Sequence, residues 1–145
     1  MIRVLIQVVP GSTFRNVYNE KTLELLDKRP ASNSYPYPYG FIIGTLTDDN
    51  DGVDCYLITK EILEPGSIVE CEPFAMLEQF EGDELDHKVL AALPGQQVQI
   101  TPELRKELQD FIKTIFRYHP EVQIHVGDIL PKEAALHHIQ IHRIG

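Results

Sequence analysis

The chain has 145 residues, the length of one domain able to bury roughly 68–70% of its unfolded surface, so no disulfide staple is needed for folding. Its 43% hydrophobic and 24% charged residues are ordinary for a water-exposed globular domain. The 22 acids against 13 bases, net charge −9, exclude the basic stripe of a nucleic-acid binder, and no stretch approaches the ~18 consecutive apolar residues of a membrane span.

In chain order, Ile2 to Val9 is a β-branched run stopped by the turn signal PGS. The start MIRVLIQVVPG carries no secretory cleavage pattern, which predicts a cytoplasmic chain. TFRNVYN and TLELLDK, parted by a short polar break, predict a hairpin. RPASNSYPYPYG, with three prolines, is a loop, because proline removes amide donors and biases its predecessor to extended geometry. FIIGTLT and GVDCYLIT predict two buried strands, and GSIVECEPFAMLEQF and HKVLAALP a further pair. Cys55 and Cys71 lie inside such apolar runs and are expected to be buried and reduced.

After Pro94 the texture changes. TPELRKELQDFIKTIFRYH opens with Thr101 as N-cap and Pro102 in the first turn. Leu104, Leu108, Phe111, Ile112, Ile115 and Phe116 then fall at three- and four-residue spacing, one apolar stripe. EVQIHVGDIL predicts a strand and turn, and PKEAALHHIQIHRIG a second, weaker helix in which His138 and His142 share a face at i, i+4 spacing. With no third ligand evident in the sequence, that pair is expected to be a polar tail. Strands followed by helices predict an α+β domain built on a barrel or strongly curled sheet.

The chemistry concentrates in two acidic loops. DDNDGVD holds Asp48, Asp49, Asp51 and Asp54, and EGDELDHK holds Glu81, Asp83, Glu84 and Asp86 before Lys88. Like charges crowded at a strand entrance repel unless something positive sits among them. The first loop is not a calcium-binding helix–loop–helix site: with Asp49, Asp51 and Gly52 in register, Ile58 stands where that loop needs glutamate. Two oxygen-rich loops between strands suit hard cations such as Mg²⁺.

Several spaced motifs, in consistent order over about three quarters of the chain, resemble the soluble, metal-dependent inorganic pyrophosphatases of the single-domain barrel type. The family's D-x-D-P-x-D stands here as DNDGVD, with glycine for proline. YPYPYG resembles YPxNYG, EGDELDHK resembles D-x-x-x-x-D-x-K with Glu81 for the first Asp, and PGSTFRNVY places Arg15 at a lysine position. The family's E-I-P triplet reads VVP, with Val8 at the glutamate, and its terminal Tyr-Lys reads Tyr118-His119.

The resemblance implies one domain over 1–145, a mainly antiparallel, OB-like closed β-barrel flanked by two C-terminal helices. It also implies hydrolysis of pyrophosphate to two phosphates by in-line attack of a metal-activated water, in a homo-oligomer. Asp49, Asp54, Glu81 and Asp86 would hold Mg²⁺ (Mn²⁺ or Zn²⁺ being substitutes) and Asp51 would be the general base. Lys88, Tyr39, Arg15, Lys28 or Arg29, Tyr118 and His119 would act on the phosphoryl groups. The alternative is a catalytically impaired relative that binds a phosphate-containing ligand or a protein partner.

Overall fold

The β-branched start of the chain forms β1 (Ile2–Val8), the strand on which a barrel closes. The computed structural model describes residues 1–31, 34–118, 121 and 123–144, with side chains at all of these except 115–118. The further elements are β2 (Phe14–Tyr18), β3 (Leu25–Pro30), β4 (Tyr39–Ile42), β5 (Val53–Leu57), β6 (Ile68–Glu81), β7 (Glu84–Leu85), β8 (Lys88–Ala92), α1 (Pro102–Tyr118), β9 (Ile124–Pro131) and α2 (Lys132–Ile141).

β1 pairs antiparallel with β4 on one side and with β6 on the other. The pairings therefore run β1–β4–β5–β8–β6 and back to β1, an OB-like circuit within an α+β domain. The β5–β8 pair is parallel; the other pairings among the described residues are antiparallel. The 14-residue β6 makes closure feasible by serving two sides. Residues 68–71 pair with β1 and residues 72–77 with β8, and the register slips between Pro73 and Ala75. Proline has no N–H for the ladder, so a bulge is where a strand tolerates it, and the bulge adds the bend a barrel needs. β9 flanks β6, while β2 and β3 form a separate two-stranded ribbon.

Two core clusters follow from this layout. Val4, Ile6, Ile42, Cys55, Leu57, Cys71 and Val89 pack with Ala135 and Ile139 of α2. Val8, Tyr39, Tyr56, Leu77 and Leu90 pack with Leu104, Leu108, Phe111 and Ile112 of α1. These four residues of the helical stripe are buried as expected, each worth roughly 1.5–3 kcal/mol relative to exposure; Ile115 and Phe116 lie among the side chains not described. The Thr101 hydroxyl accepts the Leu104 N–H at 3.1 Å, the capping bond expected of it. Both cysteines are buried and free.

One strand differs from the sequence expectation. The segment expected over 41–47 begins at Tyr39, inside the proline-tyrosine loop, and ends at Ile42. Gly44, at φ +83°, turns the chain there. Gly40 permits the early start, because a Cβ on it would collide with the carbonyl oxygen of Leu5 on the neighbouring strand.

Candidate active site

The two acidic loops converge because β5 and β8 are parallel neighbours. Parallel strands have their entrances at the same end, and the register places Cys55 beside Val89, hence Asp54 beside Lys88. The first loop is drawn into a tight turn by Thr47 N–H to Asp51 O (2.7 Å) and Asn50 N–H to Thr47 O (3.0 Å), with Asn50 at φ +66°. In the second, the β6–β7 hairpin sets Glu81 directly opposite Glu84. Like charges so paired are destabilising unless a cation intervenes.

The result is a cavity of about 250 Å³. Asp49, Asp51, Asp54, Glu81, Glu84 and Asp86 contribute carboxylates to its wall, and Arg15, Lys88 and Tyr39 contribute donors. Lys88, only 6% exposed, bridges the two loops with its Nζ 2.5 Å from Asp54 Oδ2 and 3.0 Å from Asp86 Oδ1. Burial disfavours its charge, but Asp54 and Asp86 outweigh that and hold its pKa above the ordinary value. Arg15 donates to the Tyr35 hydroxyl at 3.0 Å and lies 5.4 Å from the Tyr39 ring centre. Burial raises the Tyr39 pKa well above the usual phenol range, so its hydroxyl stays a donor. Burial, with Asp54 and Asp49 beside it, also raises the Asp51 pKa.

Of the residues expected here, Asp49, Asp51, Asp54, Glu81, Asp86, Arg15, Tyr39 and Lys88 are brought together. Lys28 and Arg29 are not. Both lie on β3, the strand of the ribbon whose six residues are all exposed, and the Arg29 guanidinium turns to Asp27 at 3.5 Å instead. Val8, at the family's glutamate position, is wholly buried among the α1-facing cluster and presents nothing to the cavity. The Tyr118 side chain and His119 fall outside the described residues.

Glu20, in the β2–β3 connection, was not marked by the sequence. Its Oε1 accepts the Gly52 N–H at 2.8 Å, immediately after Asp51. Burial, with Asp51 and Asp54 nearby, raises its pKa to about 7 despite that bond. Glu84 and Tyr35 also join the site, and Gln79 donates to Asp86 Oδ2 at 3.4 Å. His138 and His142 correct the expectation of a polar tail. With His87 they form the far wall of an adjoining cavity of about 410 Å³ that shares Asp49, Asp51, Asp54 and Asp86. Burial and the neighbouring rings lower the His138 pKa to about 4.

Among the described residues, no three ligating groups already converge on one metal position. The donor set nevertheless fits a hard divalent cation: carboxylate oxygens in excess, two of them drawn together by an ammonium group.

A family model described as inorganic pyrophosphatase matches residues 4–143. The inorganic pyrophosphatase of Synechocystis sp. is 33% identical over 139 residues, covering 90% of this chain and 80% of that protein. That of Aquifex pyrophilus is 30% identical over 131 residues, covering 84% and 73%. Among solved structures, the inorganic pyrophosphatase from Thermus thermophilus superposes with TM-score 0.82 at 24% identity, over 95% of this chain and 86% of that one. The one from Helicobacter pylori gives TM-score 0.84 at 20% identity, over 97% and 89%. At such identities the structural likeness speaks to fold alone.

Proposed function

We propose, because the chain belongs to the inorganic pyrophosphatase family, that it hydrolyses inorganic pyrophosphate to two phosphates. The observation that carries the reading is the convergence of Asp49, Asp51 and Asp54 with Asp86, Arg15 and Lys88 around one small cavity. Asp49, Asp54, Glu81 and Asp86 would hold Mg²⁺, or Mn²⁺ or Zn²⁺ in its place. When bound, such an ion neutralises the substrate's charge and acidifies a coordinated water.

The chain's own residues do the rest. Asp51, between Asp49 and Asp54 on the cavity wall, accepts the proton of the attacking water as general base. The water oxygen bonds to phosphorus, the bridging P–O bond breaks, and the departing phosphate keeps the electron pair. Arg15 grips phosphoryl oxygens bidentately, Lys88 supplies a fixed positive charge, and the Tyr39 hydroxyl, kept protonated by burial, donates a hydrogen bond. Glu20 positions the loop from behind. Its bond to Gly52 N–H exists because this chain has glycine where the family has proline, which has no N–H to donate.

No described helix is long and apolar enough to cross a membrane. Two buried free thiols suit a reducing compartment and support a cytoplasmic location. Exposed Leu136 and Ile141 on α2 and Ile144 just after it are apolar surface that a homo-oligomeric contact would cover.

The test is phosphate release from pyrophosphate with and without Mg²⁺. Asp51→Asn should lower turnover by roughly 10² to 10⁴, the usual share of a positioned base, while Asp54→Asn weakens metal affinity. Parent-like hydrolysis in both variants would overturn the roles.

A further inference from the structure

The larger cavity beside the catalytic acids has a far wall of a different chemical kind. There the rings of His138 and His142 lie 4.6 Å apart, centre to centre. Two imidazoles bound to one ion at ~2.1 Å place their ring centres ~3.2 Å from it, hence ~4.5 Å apart at octahedral cis positions and ~5.2 Å apart at a tetrahedral angle. The helix pair already stands at the octahedral spacing.

Its tautomer is set as well. His142 Nδ1 is 2.8 Å from the carbonyl oxygen of His138. A carbonyl oxygen only accepts, so Nδ1 carries the hydrogen and Nε2 keeps its lone pair. This is the arrangement in which metal-ligating histidines are generally held, the second nitrogen anchored to a backbone carbonyl. His87, whose ring centre is 5.7 Å from that of His138, is not a third ligand in this geometry. Its Nδ1 accepts the Gln79 N–H at 3.1 Å, which puts the proton of the neutral ring on Nε2. It offers a donor to a water or anion on the ion instead.

Carboxylates and water favour hard Mg²⁺, whereas imidazoles favour borderline ions such as Zn²⁺, Co²⁺ and Ni²⁺. We propose that His138 and His142 form a second metal site, specific for borderline divalent ions, in the cavity that adjoins the Mg²⁺ carboxylates. Water completes its coordination. An ion there adds positive charge beside Asp54 and Asp86 without occupying the catalytic position, so trace zinc would tune the enzyme's Mg²⁺ requirement.

The experiment is a Co²⁺ titration of the whole chain at saturating Mg²⁺, followed by the visible d–d absorption of the bound ion. The wild-type protein should bind one Co²⁺. His138→Ala and His142→Ala should each weaken that binding at least tenfold, with Gln substitutions at both positions and circular dichroism guarding against misfolding. Asp54→Asn should leave the band in place. Unchanged Co²⁺ affinity in the histidine variants, or loss of the band in Asp54→Asn alone, overturns the proposal and gives the ion to the carboxylates. The band reads ion binding and not hydrolysis, so its outcome is separable from that of the pyrophosphatase assay.

Discussion

Lys88→Met isolates the electrostatics that hold the two acidic loops together. The substitution keeps an apolar stem of similar length and removes only the ammonium group lying between Asp54 and Asp86. Removing one partner of a fully buried ion pair costs about 3–5 kcal/mol, because the other is left uncompensated. Here the Lys88 side chain is 7% exposed, but those of Asp54 and Asp86 retain 21% and 35%, so water takes back part of the cost. About 2 kcal/mol is the reasonable share. At roughly 3 °C per kcal/mol for a chain of this size, the melting temperature in EDTA should fall by about 6 °C. Saturating Mg²⁺ should then shrink the deficit to about 1 kcal/mol or less, since the cation takes over the bridging of the same carboxylates and binding to the native state alone stabilises it. Thermal unfolding by circular dichroism, parent and variant, with EDTA and with Mg²⁺, gives all four values. An equal deficit in both conditions would mean that Lys88 stabilises through its stem, and that the metal does not bind where the ammonium group lies.

Two further perturbations probe the surroundings. Val8→Glu would place a carboxyl in a site with no exposure, among Tyr39, Tyr56 and the α1 side chains, and should destabilise by about 3 kcal/mol or more in urea unfolding; a parent-like midpoint would show that the end of β1 opens onto the cavity. Glu20 has a folded pKa of about 7, above its unfolded value of ~4.3. Below pH ~4.3 both states are protonated; from there to 7 the unfolded chain releases its proton first, so the metal-free protein should lose stability as pH rises through that window. Partial exposure discounts the loss to about 1–2 kcal/mol, and Glu20→Gln, which keeps the acceptor for Gly52 N–H, should remove that share of the slope and leave the part due to Asp51; a slope unchanged in that variant would exonerate Glu20.

What was legible in the sequence was what is local or periodic. The α1 stripe, its Thr101 cap and the β2–β3 hairpin can be read from spacing within one segment, and the acidic loops from their density of like charge. The resemblance supplied the circuit of the barrel, which periodicity leaves open between closed and curled. What was missed depends on tertiary approach. Glu20 is one acid in a turn, and nothing in YNEKT says that it reaches Gly52, 32 residues later. Lys28 and Arg29 have the right charge, but alternation along a ribbon edge cannot say which strand faces inward. Nothing in the sequence ties His87 to the distant His138 and His142, so that pair lacked the neighbour that marks it as part of a cavity wall.

The order of binding follows from charge. Six carboxylates and two cations line the smaller cavity, an excess of four negative charges when all are ionised. Burial first, and then Asp54 and Asp49 beside it, raise the Asp51 pKa, so the metal-free site resists full ionisation. Pyrophosphate is itself a polyanion and would meet repulsion at every approach except along Arg15 and Lys88, and Lys88 is engaged by Asp54 and Asp86. Two divalent ions cancel the excess of four. Held by the same carboxylates, they would compete with Lys88 for Asp54 and Asp86 and leave its ammonium group available to a phosphoryl oxygen. On this charge balance metal binding would precede substrate binding, and Lys88, held by Asp54 and Asp86 in the metal-free protein, would be the group to change partners between the two.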